Sequence, residues 1–196
     1  LPLGDIADVP GESHRAGCAV RFAGHICDIT ERKTMDAATL LPNRLWLESE
    51  LQQLDGEGAA ALVLVELDAF ERYRESVAQE GGRHLLRSVA ARLAESLRGF
   101  GGDGQFALAC SGGPQFAVLV RKADSQKQVE SLAARLLAAV RRPFAGEGES
   151  SFVSASSGIA MTAAGEPGEP LLRDAQAALR YAREQGRTTV FQKAMR

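Results

Sequence analysis

Apolar and polar positions settle into a regular rhythm from Asn43 onward. In residues 44–54, Trp46, Leu47, Leu51 and Leu54 share one helical face, and Pro42 just ahead suits a helix start. Residues 60–67 are apolar at every position but Glu66, the pattern of a strand covered on both faces. Two helical stretches are expected next, over 69–79 and 83–98, broken by Gly81-Gly82. Apolar runs on either side of Gly112-Gly113-Pro114 predict a hairpin over 105–121. Residues 125–141 place Val129, Leu132, Leu136, Leu137 and Val140 at helical spacing, with Pro143 to end the helix. A strand over 152–160, a helix over 171–185 with Gly186 just past its end, and a short strand over 188–191 complete the pattern.

Ahead of this frame the rhythm is different. Residues 18–30 alternate loosely enough for one strand, and 31–36 turn helical. A lone strand has no partner here to bury its face, so it reads as the tail of a preceding domain. The main order is β-α-α-β-β-α-β-α-β, which predicts an α/β (α+β) sandwich: a mixed five-stranded sheet covered by helices. The central hairpin excludes a purely parallel sheet.

Composition narrows the function classes. The 196 residues suffice for one ordinary domain, and shares of 45% hydrophobic and 24% charged residues are those of a globular chain. A net charge of −2 provides no field that favours nucleic acid or an anionic membrane. No apolar run is long enough to span a bilayer, and the first residues have neither a basic nor an apolar export region. Cys18, Cys27 and Cys110 are an odd set without Cys-x-x-Cys spacing, which argues against zinc and disulfides and for a reducing cytoplasm.

Three ordered motifs then carry a resemblance. Asp36-Ala-Ala-Thr-Leu-Leu-Pro-Asn-Arg44 resembles D-x-L-T-G-L-P-N-R, Ser154-Ala-Ser-Ser-Gly-Ile-Ala160 resembles an S-x-G-I-A strand, and residues 175–187 resemble A-D-x-A-L-Y-x-A-K-x-x-G-R. Together these resemble the GGDEF domain, the diguanylate cyclase fold of bacterial cyclic-di-GMP signalling, over about Asp36 to Phe191. Upstream, Gly24-His-Ile-Cys-Asp-Ile-Thr-Glu-Arg-Lys33 resembles the end of a PAS domain. The last residues are similar to a linker leading to an EAL phosphodiesterase domain. The implied division is a PAS end and linker helix over 1–35, a GGDEF domain over 36–192, and the start of a linker over 193–196.

What the resemblance implies about chemistry is tested residue by residue. Such cyclases join two GTP molecules by attack of a 3′-hydroxyl on an α-phosphorus, using carboxylate-held divalent ions and backbone amides around the phosphates. The family signature aligns with Gly112-Gly113-Pro114-Gln115-Phe116, so its acidic pair is replaced by Pro114 and Gln115. Pro114 has neither carboxylate nor N–H, and Gln115 is a poor ligand for a hard cation. The family's D-x-D-x-F-K reads Glu66-Leu-Asp-Ala-Phe-Glu71, which leaves Glu66 as a vestigial metal residue and keeps Asp68 and Phe70. The guanine-reading Asn and Asp are replaced by Arg74 and Arg83, and arginine cannot accept guanine's N–H donors. Asp103-Gly-Gln-Phe106 stands where the family's inhibitory R-x-x-D lies, so product feedback is not expected there. Asn43, Arg74, Arg83, Arg183 and Arg187 are the vestigial nucleotide set.

Each of these has a plainer reading. Asn43 is a helix start, Arg183 and Arg187 are a solvated cationic pair at a helix C-terminus, and Glu66, Asp68 and Glu71 are a solvated strand end. His84 reads as a partly buried packing residue and Cys110 as buried and inert. The resemblance and the substitutions together imply a catalytically inactive GGDEF domain that serves as a regulatory module, with any activity in a neighbouring EAL domain. Its partners are the adjacent PAS and EAL domains of the same chain, with a homodimer open and neither nucleic acid nor membrane insertion expected. No cofactor is expected. Mg2+ and GTP enter only under the alternatives, a nucleotide-binding module without turnover or an active cyclase.

Overall fold

The computed structural model describes residues 33–54, 58–77, 79–98, 100, 104–144, 152–185, 188–192 and 195. The strand expected over 18–30 and the first two residues of the helical turn expected over 31–36 lie outside these residues; within the rest of that turn, 33–34 are helical. In chain order the elements are α1 (Arg44–Gln52), β1 (Ala61–Leu67), α2 (Phe70–Ser76), α3 (Gln79–Leu97), β2 (Phe106–Gly112), β3 (Gln115–Val120), α4 (Gln126–Arg141), β4 (Ala155–Met161), α5 (Pro170–Gln185) and β5 (Thr188–Val190). The strands form one sheet in the order β2-β3-β1-β4-β5. Only β4 and β5 run parallel; β1 is antiparallel to both β3 and β4, and β2 to β3.

Strand β1 lies at the centre, which explains its apolar run from Ala61 to Val65. Alternate side chains point to opposite faces of the sheet and each face has its own core. Val63 and Val65 pack with Leu86, Val89 and Leu93 of α3 and with Leu132 and Leu136 of α4. Leu62 and Leu64 pack with Leu47 and Leu51 of α1 and with Leu171, Ala175 and Leu179 of α5. Gly158 of β4 lets α5 sit directly on the strand: a Cβ there would lie 2.4 Å from the Ala175 carbonyl oxygen and the Leu179 nitrogen. Among the described residues no helix is long and apolar enough to cross a membrane.

Three expectations change. The pair Gly81-Gly82 does not break a helix; α3 starts at Gln79 and runs through both. The break comes earlier, at Val77, whose extended backbone (φ −123°, ψ 159°) ends α2. A Cβ on buried Gly82 would sit 3.5 Å from Arg74 Cγ and 3.8 Å from Phe70 Cζ, ordinary contact distances, whereas one on Gly81 would lie 3.0 Å from Val77 Cγ2, so the tighter fit is at Gly81. Strand β4 starts at Ala155 instead of 152, because β1 ends opposite Ala155 and offers no further ladder. Phe152 is accordingly exposed. His84 is exposed as well, on the side of α3 opposite Leu85 and Leu86, and does not pack in the core.

Candidate functional site

The centre of the site is the β2–β3 turn. Gly112 pairs with Gln115, which leaves Gly113 and Pro114 as a two-residue connection. Gly112 has φ 129° and Gly113 φ 54°, values that side chains with a Cβ rarely adopt. A Cβ on either would meet nothing within 4 Å, so backbone conformation and not crowding calls for glycine here. A glycine at positive φ followed by a residue fixed at negative φ has the sign pattern of a II′ hairpin turn. Phe116, fully buried, anchors the strand behind it. The Pro114 carbonyl accepts from the Leu67 N–H at 3.1 Å and ties the turn to the end of β1.

Glu66 stands directly opposite Gln115 across β1 and β3. Gln115 Nε2 donates to Glu66 Oε2 at 2.9 Å, and Arg183 Nη1 at the end of α5 lies 2.8 Å from Glu66 Oε1. Both oxygens of this carboxylate therefore have a partner, each from a different element. The Glu66 side chain is 17% exposed and that of Arg183 56%, so the guanidinium reaches the carboxylate from the solvent side. Arg183 is half-exposed in the last turn of α5, as its sequence position suggested, and in addition pairs with Glu66. Arg187, expected beside it, lies outside the described residues, as do Asp103 and Gly186.

The neighbouring acids are also engaged. Asp68 Oδ1 accepts from Ser156 Oγ at 2.9 Å, and the Asp68 N–H donates to the Ser154 carbonyl at 2.8 Å. Glu71 pairs with Arg74 one turn along α2, and Glu80 with Arg83 at 3.8 Å on α3. Arg74 and Arg83 are exposed and held by acids of their own helices. The acids of the strand end are therefore paired, Glu66 and Asp68 half-buried and Glu71 in solvent.

Asn43 is the cap of α1. Its Oδ1 accepts from the Trp46 N–H at 3.2 Å, while its Nδ2 donates to the Lys33 carbonyl at 2.6 Å. The turn before it closes on Asp36, whose Oδ1 accepts from the Thr39 N–H at 2.8 Å and the Thr39 hydroxyl at 2.7 Å. Leu40, exposed, has φ 60° at the place where the family pattern has glycine. The Pro42 carbonyl then accepts from the Cys110 N–H at 2.7 Å, which lays this turn against β2. Cys110 is buried, and burial pushes its thiol pKa up, so it stays a neutral thiol.

Sequence reasoning named Glu66 and Arg183 but missed their contact, and it missed Ser156. The ion pair of Glu66 with Arg183 has no local signal, because the partners lie at opposite ends of the domain. Ser156 was visible only as part of a motif; its register opposite Glu66 puts it next to Asp68. A groove of about 280 Å³ also opens between α1 and α5, lined by Arg44, Glu48, Gln52, Glu169 and Arg173 among others. None of the site residues expected from sequence lines it.

These residues do not fit a divalent cation. Hard cations take several oxygens, charged ones foremost, whereas Glu66 faces an amide and a guanidinium. Among the described residues no three of His, Cys, Asp and Glu stand close enough to hold a metal.

Residues 33–189 match the family described as diguanylate cyclase, GGDEF domain. The chain belongs to the GGDEF family. It is similar to the diguanylate cyclase DgcP of Pseudomonas aeruginosa, with 32% identity over 176 residues, 86% of this chain and 25% of that protein. It is similar also to the cyclic di-GMP phosphodiesterase NbdA of the same organism, with 32% identity over 161 residues, 78% of this chain and 19% of that protein. This GGDEF chain spans a quarter or less of the length of both relatives. The GGDEF domain of TpbB (YfiN) from P. aeruginosa has the same fold, with a TM-score of 0.72, 24% identity, and coverage of 82% of this chain and 96% of that one.

Proposed function

We propose that this GGDEF domain is a catalytically silent regulatory module of a cyclic-di-GMP signalling protein. It transmits the state of one neighbouring domain to another, with a PAS sensor before it and an EAL phosphodiesterase after it. The observation that carries this reading is the Gln115 amide on Glu66, at the turn where the cyclase reaction needs a carboxylate. Arg74 and Arg83 support it, since neither accepts the N–H donors of guanine and each is paired within its own helix. The relatives fit a module that accompanies either activity, one being a diguanylate cyclase and another a cyclic di-GMP phosphodiesterase.

Titration calorimetry with GTP and Mg2+ tests the reading. The expected result is no heat of binding at high micromolar GTP. Saturable binding without turnover replaces the silent module by a nucleotide-regulated one.

A further inference from the structure

The disagreement between these side chains and a divalent cation has a positive content. The geometry points to a ligand-independent clasp, in which the Arg183 guanidinium supplies the positive charge at Glu66 and ties the hairpin turn to the last turn of α5. Glu66 is the hub. Its Oε2 takes the Gln115 amide of β3 and its Oε1 the Arg183 guanidinium of α5. The turn is held to the same strand end once more, through the Pro114 carbonyl and the Leu67 N–H. A carboxylate this little exposed is costly to bury without a counter-charge, and Arg183 is the cation in contact with it. Of the neighbouring acids, Asp68 is occupied by Ser156 and Glu71 by Arg74, so neither competes for the guanidinium.

A tethered guanidinium differs from a metal ion in three ways. It carries one charge, it bonds along fixed directions, and it cannot dissociate from the chain. Hairpin and α5 are thus joined whether or not any ligand is present. In chain order α5 is followed by β5, so the clasp connects the hairpin turn to the helix that precedes the final described strand. This inference deepens the silent-module reading by naming what joins the turn to α5, and it rests on that reading only for the absence of a competing ligand.

Hydrogen exchange measured by mass spectrometry on the nucleotide-free chain, with Mg2+ or with chelator, tests the clasp. Arg183→Gln is expected to speed exchange about two- to fivefold both in the last turn of α5 and in the amides of the hairpin turn, as suits a half-exposed pair. Arg183→Lys restores most of the protection. Glu66→Gln, which removes the charge from the other side, is expected to loosen the same two segments, and circular dichroism verifies that each variant is folded. For the unmodified chain, Mg2+ and chelator give the same exchange. The clasp is overturned if Arg183→Gln loosens α5 alone, or if Mg2+ slows exchange at the hairpin. Because no nucleotide is present, GTP binding found by calorimetry would defeat the silent module without deciding the clasp.

Discussion

Glu66 and Arg183 meet at 2.8 Å, although one ends the central strand β1 and the other sits in the last turn of α5. Gln115 completes the arrangement from the hairpin. Gln115→Glu would set a second carboxylate beside Glu66 with one guanidinium to serve both. The variant is expected to lose about 1 kcal/mol without divalent ions, since like charges at one site disfavour each other. Millimolar Mg2+ or Mn2+ should return that loss to the variant and leave the unmodified protein's melting temperature unchanged. Thermal denaturation with and without the ion checks both statements.

The contact of α5 with β4 leaves no room at Gly158. Gly158→Ala drives a methyl group into the backbone at Ala175 and Leu179, where nothing flexible can give way. The expected loss is about 2–4 kcal/mol, because strand and helix must separate. A urea unfolding midpoint measures it; a loss within experimental error would mean that the helix shifts freely along the sheet.

Asn43 caps α1 with its side-chain oxygen. Asn43→Ala should cost about 1 kcal/mol, and Asn43→Ser should recover most of it, because a serine oxygen accepts the same N–H. Guanidinium denaturation of the two variants gives the comparison. Equal losses for serine and alanine would point to the amide's donation to Lys33 as the main contribution.

Leu40 sits in the left-handed region and exposes its side chain to solvent. Leu40→Gly removes a conformational cost of about 1 kcal/mol against a more flexible unfolded chain, so a net gain of some tenths is expected. A higher denaturation midpoint for the variant is the predicted result.

Cys110 adds a pH dependence. Burial raises its pKa, so the folded state holds the thiol proton more tightly than the unfolded chain does. Its contribution to stability is fully present below the unfolded thiol value and is lost as pH rises through the folded value. Stability measured across the alkaline range should therefore decline less steeply in Cys110→Ala than in the unmodified protein.

Much of the fold was legible because its core is periodic. The stripe Val129, Leu132, Leu136 and Val140 in α4 and the run Ala61–Val65 in β1 each match one physical environment, a half-covered helix and a doubly covered strand. Gly81 and Gly82 read as a break because glycine weakens an isolated helix, whereas here the helix runs through both, with Gly81 close against Val77. The candidate site was legible as a set of substitutions in a known pattern. Its wiring was not: Arg183 finds Glu66 only after α5 packs on β4, and no local spacing encodes that meeting. Asn43 sits between these cases, since the Pro42-Asn43 pair announced a helix start and the cap is what formed.

Under the proposed function, this GGDEF domain makes no cyclic-di-GMP. The direct measurement is chromatography of products after incubation of the purified chain with GTP and either Mg2+ or Mn2+. No cyclic-di-GMP above a protein-free blank is expected. Formation of cyclic-di-GMP that disappears in Glu66→Ala would contradict it.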